Sequence, residues 1–562
     1  MPDKKIFLPQ DIPYKDLNHP PSICSILGVP YAHFSWTNGS ELFLTEYGLF
    51  RINELHPDNF VSDKNWFSAN SERLCGTSCI YRVALKSPSG KNGYVILKWN
   101  RMGQDIPGVH DTEDTDVEFN SPFEEFAMVT ELRSMLPDKH FLPLQKPLAV
   151  YVSPEHVDLW QSGRRDYKMA MLIKTHSEIT IHMHRLYAVV YEWIKGMDAS
   201  EAVNRRLLRQ QEMTELTLQA RDELLRRGFY VFDSKPQHII VRAGQNNSLL
   251  KKRNGQPLYA LIDYELLRHT GDYQEKLLRQ KRTRYLKKQK DRFQHSSEKF
   301  PPHLHLTEYF NVQYVYGAAE TTRGSLWVVG KDPELFDYFL PERWEFSPRI
   351  RLSIESEIYY TISKDSIHLV WKVSRAGARP NYDPFNEQEK KILDYGYNSP
   401  FEEISMALYL SSRGIPTIYP RAVYMTGHKV DVAAHIFDKS RYDTHRSFLT
   451  SDGFPILRTD RDYILIWGYW NGPDEKLAAR DGDYYEGINV RRAYTEGIIS
   501  KDEYIRILSL TREKLLQVGV EDLNLRGSHL LISRDQNGNI VCGPDGEPEV
   551  RISNFELLKK NL

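Results

Sequence analysis

Cysteine is scarce: the chain of 562 residues holds four, Cys24, Cys75, Cys79 and Cys542. That is too few for a disulfide framework, so a disulfide-stapled secreted scaffold is excluded and a reducing cytoplasm is the expected compartment. Long apolar runs are missing too. None approaches the roughly 18–20 residues needed to span a bilayer, and the opening MPDKKIFLPQ lacks the apolar stretch of a secretory signal. Neither a membrane span nor an export signal is expected. There is no excess of charge: 74 Lys plus Arg face 75 Asp plus Glu, which removes any global argument for nucleic acid or a membrane surface as partner. No Cys/His set has zinc-finger spacing. His182-x-His184 and His303-x-His305 read as alternation on an exposed strand face. What remains is an ordinary globular balance, 41% hydrophobic and 27% charged, with enough apolar mass for two cores.

The chain repeats itself. Asn120-Ser121-Pro122-Phe123-Glu124-Glu125 recurs as Asn398-Ser399-Pro400-Phe401-Glu402-Glu403, and Pro147-x-Ala149-Val150-Tyr151 recurs as Pro420-x-Ala422-Val423-Tyr424. Segments 31–48 and 316–330 each set two apolar stretches around a Thr-x-Gly turn, Thr37-Asn38-Gly39 and Thr322-Arg323-Gly324, which is a hairpin signal. The matches share one order and an offset of about 280 residues, so the chain reads as a duplication.

Periodicity outlines each copy. In the first, residues 80–83 and 94–98 predict strands joined by a turn at 87–90. Ser121 as N-cap, Pro122 at the first helical position and Glu124 and Glu125 in the first turn predict a helix start. A strand at 187–191, a helix over about 213–227 ending at Gly228, and strands at 238–241 and 259–262 complete an α+β unit.

Those elements carry a series of motifs that resembles the protein-kinase-like superfamily, particularly its small atypical and lipopolysaccharide-kinase members. Gly76-Thr77-Ser78 lies where such a fold has its phosphate loop, with one glycine instead of three. Lys98 ends an apolar strand and Glu125 opens the following helix, with Glu124 the fallback one residue earlier. Tyr191-Glu192-Trp193 resembles the adenine-binding hinge, Asp233-Ser234-Lys235-Pro236-Gln237-His238 the catalytic loop, and Ile262-Asp263-Tyr264-Glu265 the metal-binding Asp-Phe-Gly. The resemblance implies two tandem bilobal kinase-like domains with minimal C-lobes. It implies ATP and Mg²⁺ or Mn²⁺ as cofactors, with Gly76, Ser78, Lys98, Glu125, Glu192 and Trp193 holding nucleotide. Asp233 and Lys235 would be catalytic, and Asp263 and His238 would hold metal. His238 stands where the family has Asn, a softer donor than Mg²⁺ favours.

The second copy keeps Lys372, Glu403 and His529 but has Asn524 opposite Asp233, Asn554 opposite Asp263 and Ile354 opposite Gly76. Amides neither accept a proton at neutral pH nor match a carboxylate for Mg²⁺, so this copy resembles a pseudokinase. Asp522, two residues before Asn524, is an alternative base disfavoured by the spacing. The expected organisation is a hairpin module at 1–70, an active kinase-like domain at 71–270, a basic helical linker at 271–310, a second hairpin module at 311–345 and the pseudokinase at 346–562. Residues 276–292 hold nine Lys and Arg, which reads as a solvated helix rather than an RNA clamp. The expected function is ATP- and metal-dependent phosphoryl transfer to an unidentified acceptor, supported by contact between the two domains. The alternatives are a non-catalytic nucleotide-binding scaffold, or AMP transfer on the same fold.

Overall fold

The computed structural model describes residues 6–9, 12–74, 78–86, 93–107, 117–135, 144–176, 179–244, 248–252, 255–294, 300–301, 303–319, 321–354, 356–430, 440–458, 460–472, 485–543 and 546–561. The expected phosphate-loop residues Cys75, Gly76 and Thr77 and the turn at 87–90 lie outside the described residues. The chain forms two compact units, Met1–Lys276 and Leu277–Leu562, each mixed α+β.

Unit 1 is built on a large antiparallel sheet. Its strands are β1 (Ser22–Ile26), β2 (Val29–Ser35), β3 (Glu41–Leu44), β4 (Ser71–Arg73), β5 (Ile80–Ala84), β6 (Tyr94–Trp99), β7 (Pro147–His156) and β8 (Arg185–Glu192). They lie in the order β1-β2-β3-β7-β8-β6-β5-β4. Because β3 pairs with β7, Leu42 opposite Tyr151, residues 1–70 and the segment after them share one sheet. Both faces of its centre are covered, so the middle strands are apolar almost throughout. Alternation sends Ile96, Val150, Val189 and Tyr191 to one face and Val95, Leu97, Tyr151 and Val190 to the other. The second face is covered by Tyr14, Ile52, Leu55 and Phe60. The leading 70 residues thus supply both strands and a layer.

The first face packs on the helix Pro122–Ser134, which buries Phe123, Phe126, Val129 and Leu132. Ser121 Oγ accepts from Glu124 N, and the Glu124 carboxylate accepts from Ser121 N, a reciprocal cap. The remainder of unit 1 holds β9 (Met197–Asp198), β10 (Phe229–Val231), β11 (Ile239–Val241), β12 (Tyr259–Leu261) and β13 (Leu267–His269), in small sheets β12-β11-β9 and β10-β13. The helix Gln210–Leu225 buries Met213, Leu216, Ala220 and Leu224 at helical spacing. Past its end, Gly228 has φ +82°, and a Cβ there would stand 2.3 Å from Tyr273 Cγ. No other residue fits that turn.

Unit 2 repeats the plan with β14 (Leu304–Tyr309), β15 (Val312–Ala319), β16 (Gly324–Val329), β17 (Arg349–Arg351), β18 (Ile358–Ile362), β19 (His368–Val373), β20 (Tyr419–Met425) and β21 (Tyr463–Gly468). Their order, β14-β15-β16-β20-β21-β19-β18-β17, is that of the first sheet strand for strand. Small sheets of β22 (Tyr485–Asn489), β23 (Val520–Asp522), β24 (Leu530–Asp535), β25 (Arg551–Ile552) and β26 (Leu558–Lys560) follow. The basic segment is the helix Gly271–Asp291. Within unit 2 it buries Tyr285 against Phe339, and Lys288 pairs with Asp332 at 3.0 Å. Among the described residues no helix is long and apolar enough to cross a membrane.

Candidate functional site

Strand β6 delivers Lys98 to the sheet face shared with Ile96 and Tyr191, where it is 4% exposed. A buried ammonium needs carboxylate partners. Asp263 Oδ1 lies in direct contact, and Glu265 Oε2 is 2.9 Å away. Burial pushes Lys98 down; the charges of Asp263, Glu265 and Glu125 outweigh it and leave the ammonium above its ordinary value. Arg101, three residues further on, reaches Glu265 at 3.6 Å and lies over the Phe119 ring. Ser78 is buried and donates weakly to Glu265 at 3.4 Å.

Glu125 is 1% exposed and accepts from the Tyr191 hydroxyl at 2.8 Å. No Lys98–Glu125 ion pair forms within 4.0 Å, so the expected partner of the lysine is displaced by Glu265. Burial raises the Glu125 carboxyl to about 7, against the opposing pull of Lys98.

Asp263 sits at φ +67°, a left-handed conformation that strains a residue with a Cβ and marks sites where geometry is over-determined. Burial raises its carboxyl; Lys98 and His238 overcome that and hold it below its ordinary value. His238 Nε2 is 3.4 Å from Asp263 Oδ2, and its Nδ1 has no hydrogen-bond partner.

Lys235, His238 and Asp263 line one small cleft that is open to solvent. Asp233 lies on the same loop, a quarter exposed, and pairs with Lys235 at 2.8 Å. At the end of β8, Glu192 pairs with Lys146 at 3.1 Å, and its N–H donates to Lys146 O. The Arg82 guanidinium stands over the Trp193 ring. Gly76 lies outside the described residues.

Asn120 ties this centre together. Its amide donates to Tyr264 O and Leu267 O, and its N–H donates to Glu265 O. The repeated hexapeptide therefore clamps the loop 263–267, caps the helix, fills the core and supplies a buried carboxylate. Unit 2 reproduces it: Asn398 donates to Phe555 O and Leu558 O, and its N–H donates to Glu556 O.

Unit 2 keeps the charges but differs at the amides. Lys372 meets both Glu403 at 2.7 Å and Glu556 at 3.0 Å, and Arg375 reaches Glu556 at 3.6 Å. Asn554 lies outside the left-handed region and accepts from Glu556 N. Asn524 donates to the Tyr382 hydroxyl and accepts from Arg526, as Asp233 does from Lys235. Burial holds His529 down to about 4.

Glu265, Arg101, Tyr191 and Asn120 were not among the expected site residues. Comparing the copies exposes three of them: Glu265 and Glu556 each follow the Asp/Asn by two, Arg101 and Arg375 each follow the lysine by three, and Asn opens both hexapeptides. Tyr191 has no such signal: it pairs with Pro147 in β7–β8, and the residue that pairs with the corresponding Pro420 in β20–β21 is Trp467, not Tyr.

No family model and no curated protein matches the chain. Among solved structures, the BubR1 kinase domain aligns at 10% identity and a TM-score of 0.22, over 42% of this chain and 50% of that one. WbdD, solved with the kinase inhibitor LY294002, aligns at 12% identity and a TM-score of 0.16, over 39% and 43%. The chain thus spans about half the length of these neighbours or less, and scores this low carry no argument about its fold.

Proposed function

We propose that unit 1 is an ATP- and metal-dependent phosphotransferase on a protein-kinase-like framework, and that unit 2 is its degenerate duplicate. The carrying observation is the convergence of Lys98, Asp263 and His238 on one centre opening to Lys235. The strand order β4-β5-β6-β8-β7, with a helix entering between β6 and β7, also supports the framework. In this reading Lys98 neutralises nucleotide phosphates, while Glu265 keeps it charged and directed and Glu125 stands behind it on the Tyr191 hydroxyl. Asp233 orients the acceptor hydroxyl and takes its proton, and Lys235 offsets charge developing on the transferred group. Ser78 would line the phosphate side, where the sequence also sets Gly76, and Glu192 and Trp193 would line the adenine side.

The donor set fits a divalent cation. Asp263 is held ionised, Glu265 is adjacent, and His238 Nδ1 makes no hydrogen bond, which supports this reading. Asp263 and His238 would hold the ion, which would supply positive charge against the phosphates. One nitrogen donor favours Mn²⁺ over Mg²⁺. Unit 2, with Asn554 and Asn524, lacks the metal carboxylate and the base.

A second reading, a non-catalytic nucleotide-binding scaffold, is favoured by one observation: Lys98 and Asp263 already satisfy each other. AMP transfer shares the site. Thermal-shift titration with ATP plus Mg²⁺ or Mn²⁺ is the test of the site. A metal-dependent stabilisation lost in Asp263→Ala and Lys98→Ala is expected. No shift with any nucleotide and metal would overturn the enzyme and scaffold readings together.

A further inference from the structure

One cluster in unit 1 takes no part in the centre around Lys98. Strand β7 ends at His156, which pairs with Arg185 across the β7–β8 ladder, and Val157 N donates to His184 O at 2.7 Å. This register sets His184 beside His156 and Asp158. The two imidazoles stack with centroids 4.7 Å apart and an interplanar angle of 22°. His156 Nε2 is 3.8 Å from Asp158 Oδ1. One ligand atom from each of the three residues lies within 4.8 Å of the others.

We propose that His156, Asp158 and His184 form a site for a borderline divalent transition ion of the Zn²⁺ class. The sequence reading of His182-x-His184 as plain alternation does not extend to this set, because its members come from two chain segments brought together by strand register. His182, the alternation partner, is not one of them. Two neutral imidazoles and a carboxylate suit Zn²⁺, Ni²⁺ or Cu²⁺, whereas Mg²⁺ and Ca²⁺ take oxygen sets. Ligand atoms around tetrahedral Zn²⁺ stand roughly 3.3 Å apart at the usual bond lengths. Side chains this exposed, 70% for His156 and 56% for Asp158, close that gap by rotamer adjustment without moving the strands. Three protein donors leave a fourth position for water or an incoming ligand. The site differs in donor chemistry from the Asp263 centre and stands whether or not that centre transfers phosphate.

Titration of the full chain with Zn²⁺ alone, followed calorimetrically and by Co²⁺ absorption, tests the assignment on wild type, His156→Ala, His184→Ala, Asp158→Asn and His182→Ala. Wild type and His182→Ala should bind one equivalent that His156→Ala and His184→Ala lose, with Asp158→Asn at least about tenfold weaker, the lower end of what removing even an outer partner costs. Metal-free unfolding midpoints should coincide, since exposed substitutions of this kind are near neutral. Equal stoichiometry and affinity in all five proteins would overturn the site. Loss in His182→Ala as well would overturn the three-residue assignment.

Discussion

A buried lysine in contact with the two carboxylates of Asp263 and Glu265 is held by charge balance, and removing any member leaves the remainder unpaired. Lys98→Met leaves Asp263 and Glu265 buried without their cation, and should cost about 3–5 kcal/mol in denaturant unfolding; a loss below about 1 kcal/mol would show that the centre is hydrated. Glu125 is the opposite case. Its carboxyl rises from 4.5 to about 7 on burial, so its contribution to stability is complete below about pH 4.5 and disappears as pH climbs through 7. Glu125→Gln keeps an acceptor for the Tyr191 hydroxyl. It should therefore be more stable relative to wild type at pH 8 than at pH 5, by on the order of 3 kcal/mol at most. Equal differences at both pH values would contradict a neutralised Glu125. These roles were only half visible in the residue string. Lys98, Asp263 and His238 stood in recognisable company, whereas the partnership of Glu265 with Lys98 spans a separation that no local pattern encodes.

At the scale of elements, the helix Pro122–Ser134 was legible from its caps alone, because Ser121, Pro122 and Glu124 act on their own first turn. The attachment of that helix to the loop 263–267 was not legible, since it depends on Asn120 meeting carbonyls about 145 residues away. Asn120→Ala should remove the amide donations to the Tyr264 and Leu267 carbonyls, the first of which keeps only Leu267 N, at a cost of about 1–3 kcal/mol in all, while circular dichroism keeps its helix content. An unchanged unfolding midpoint would remove Asn120 from that role. The small strand β4 and the helix Asp166–Thr175 were also hidden: the first is three residues long, and the second lacks a side-chain cap. The basic helix Gly271–Asp291 looked like a solvated linker, and its buried Tyr285 and its ion pairs to Asp332 and Asp365 explain why so many cations are tolerated there.

For the whole molecule, the internal repeat predicted two units, and the two sheets do share one strand order. The extent of each sheet was less visible. Residues 1–70 looked like a preceding module because turns delimit them, but their strands and their apolar layer complete the first sheet. Comparison of the units separates the residues they share from those they do not. Lysine, both glutamates, arginine and the loop histidine occur in both, while the carboxylates of Asp233 and Asp263 occur in unit 1 alone. The central claim is that those two carboxylates carry catalysis. Release or transfer of the γ-phosphate of labelled ATP in Mn²⁺ measures it directly, in wild type, Asp233→Asn and the unit 2 control Asn524→Ala. Turnover in wild type and in Asn524→Ala, reduced at least about a hundredfold in Asp233→Asn, is the predicted result. Turnover that survives Asp233→Asn, or none in wild type, would contradict the account.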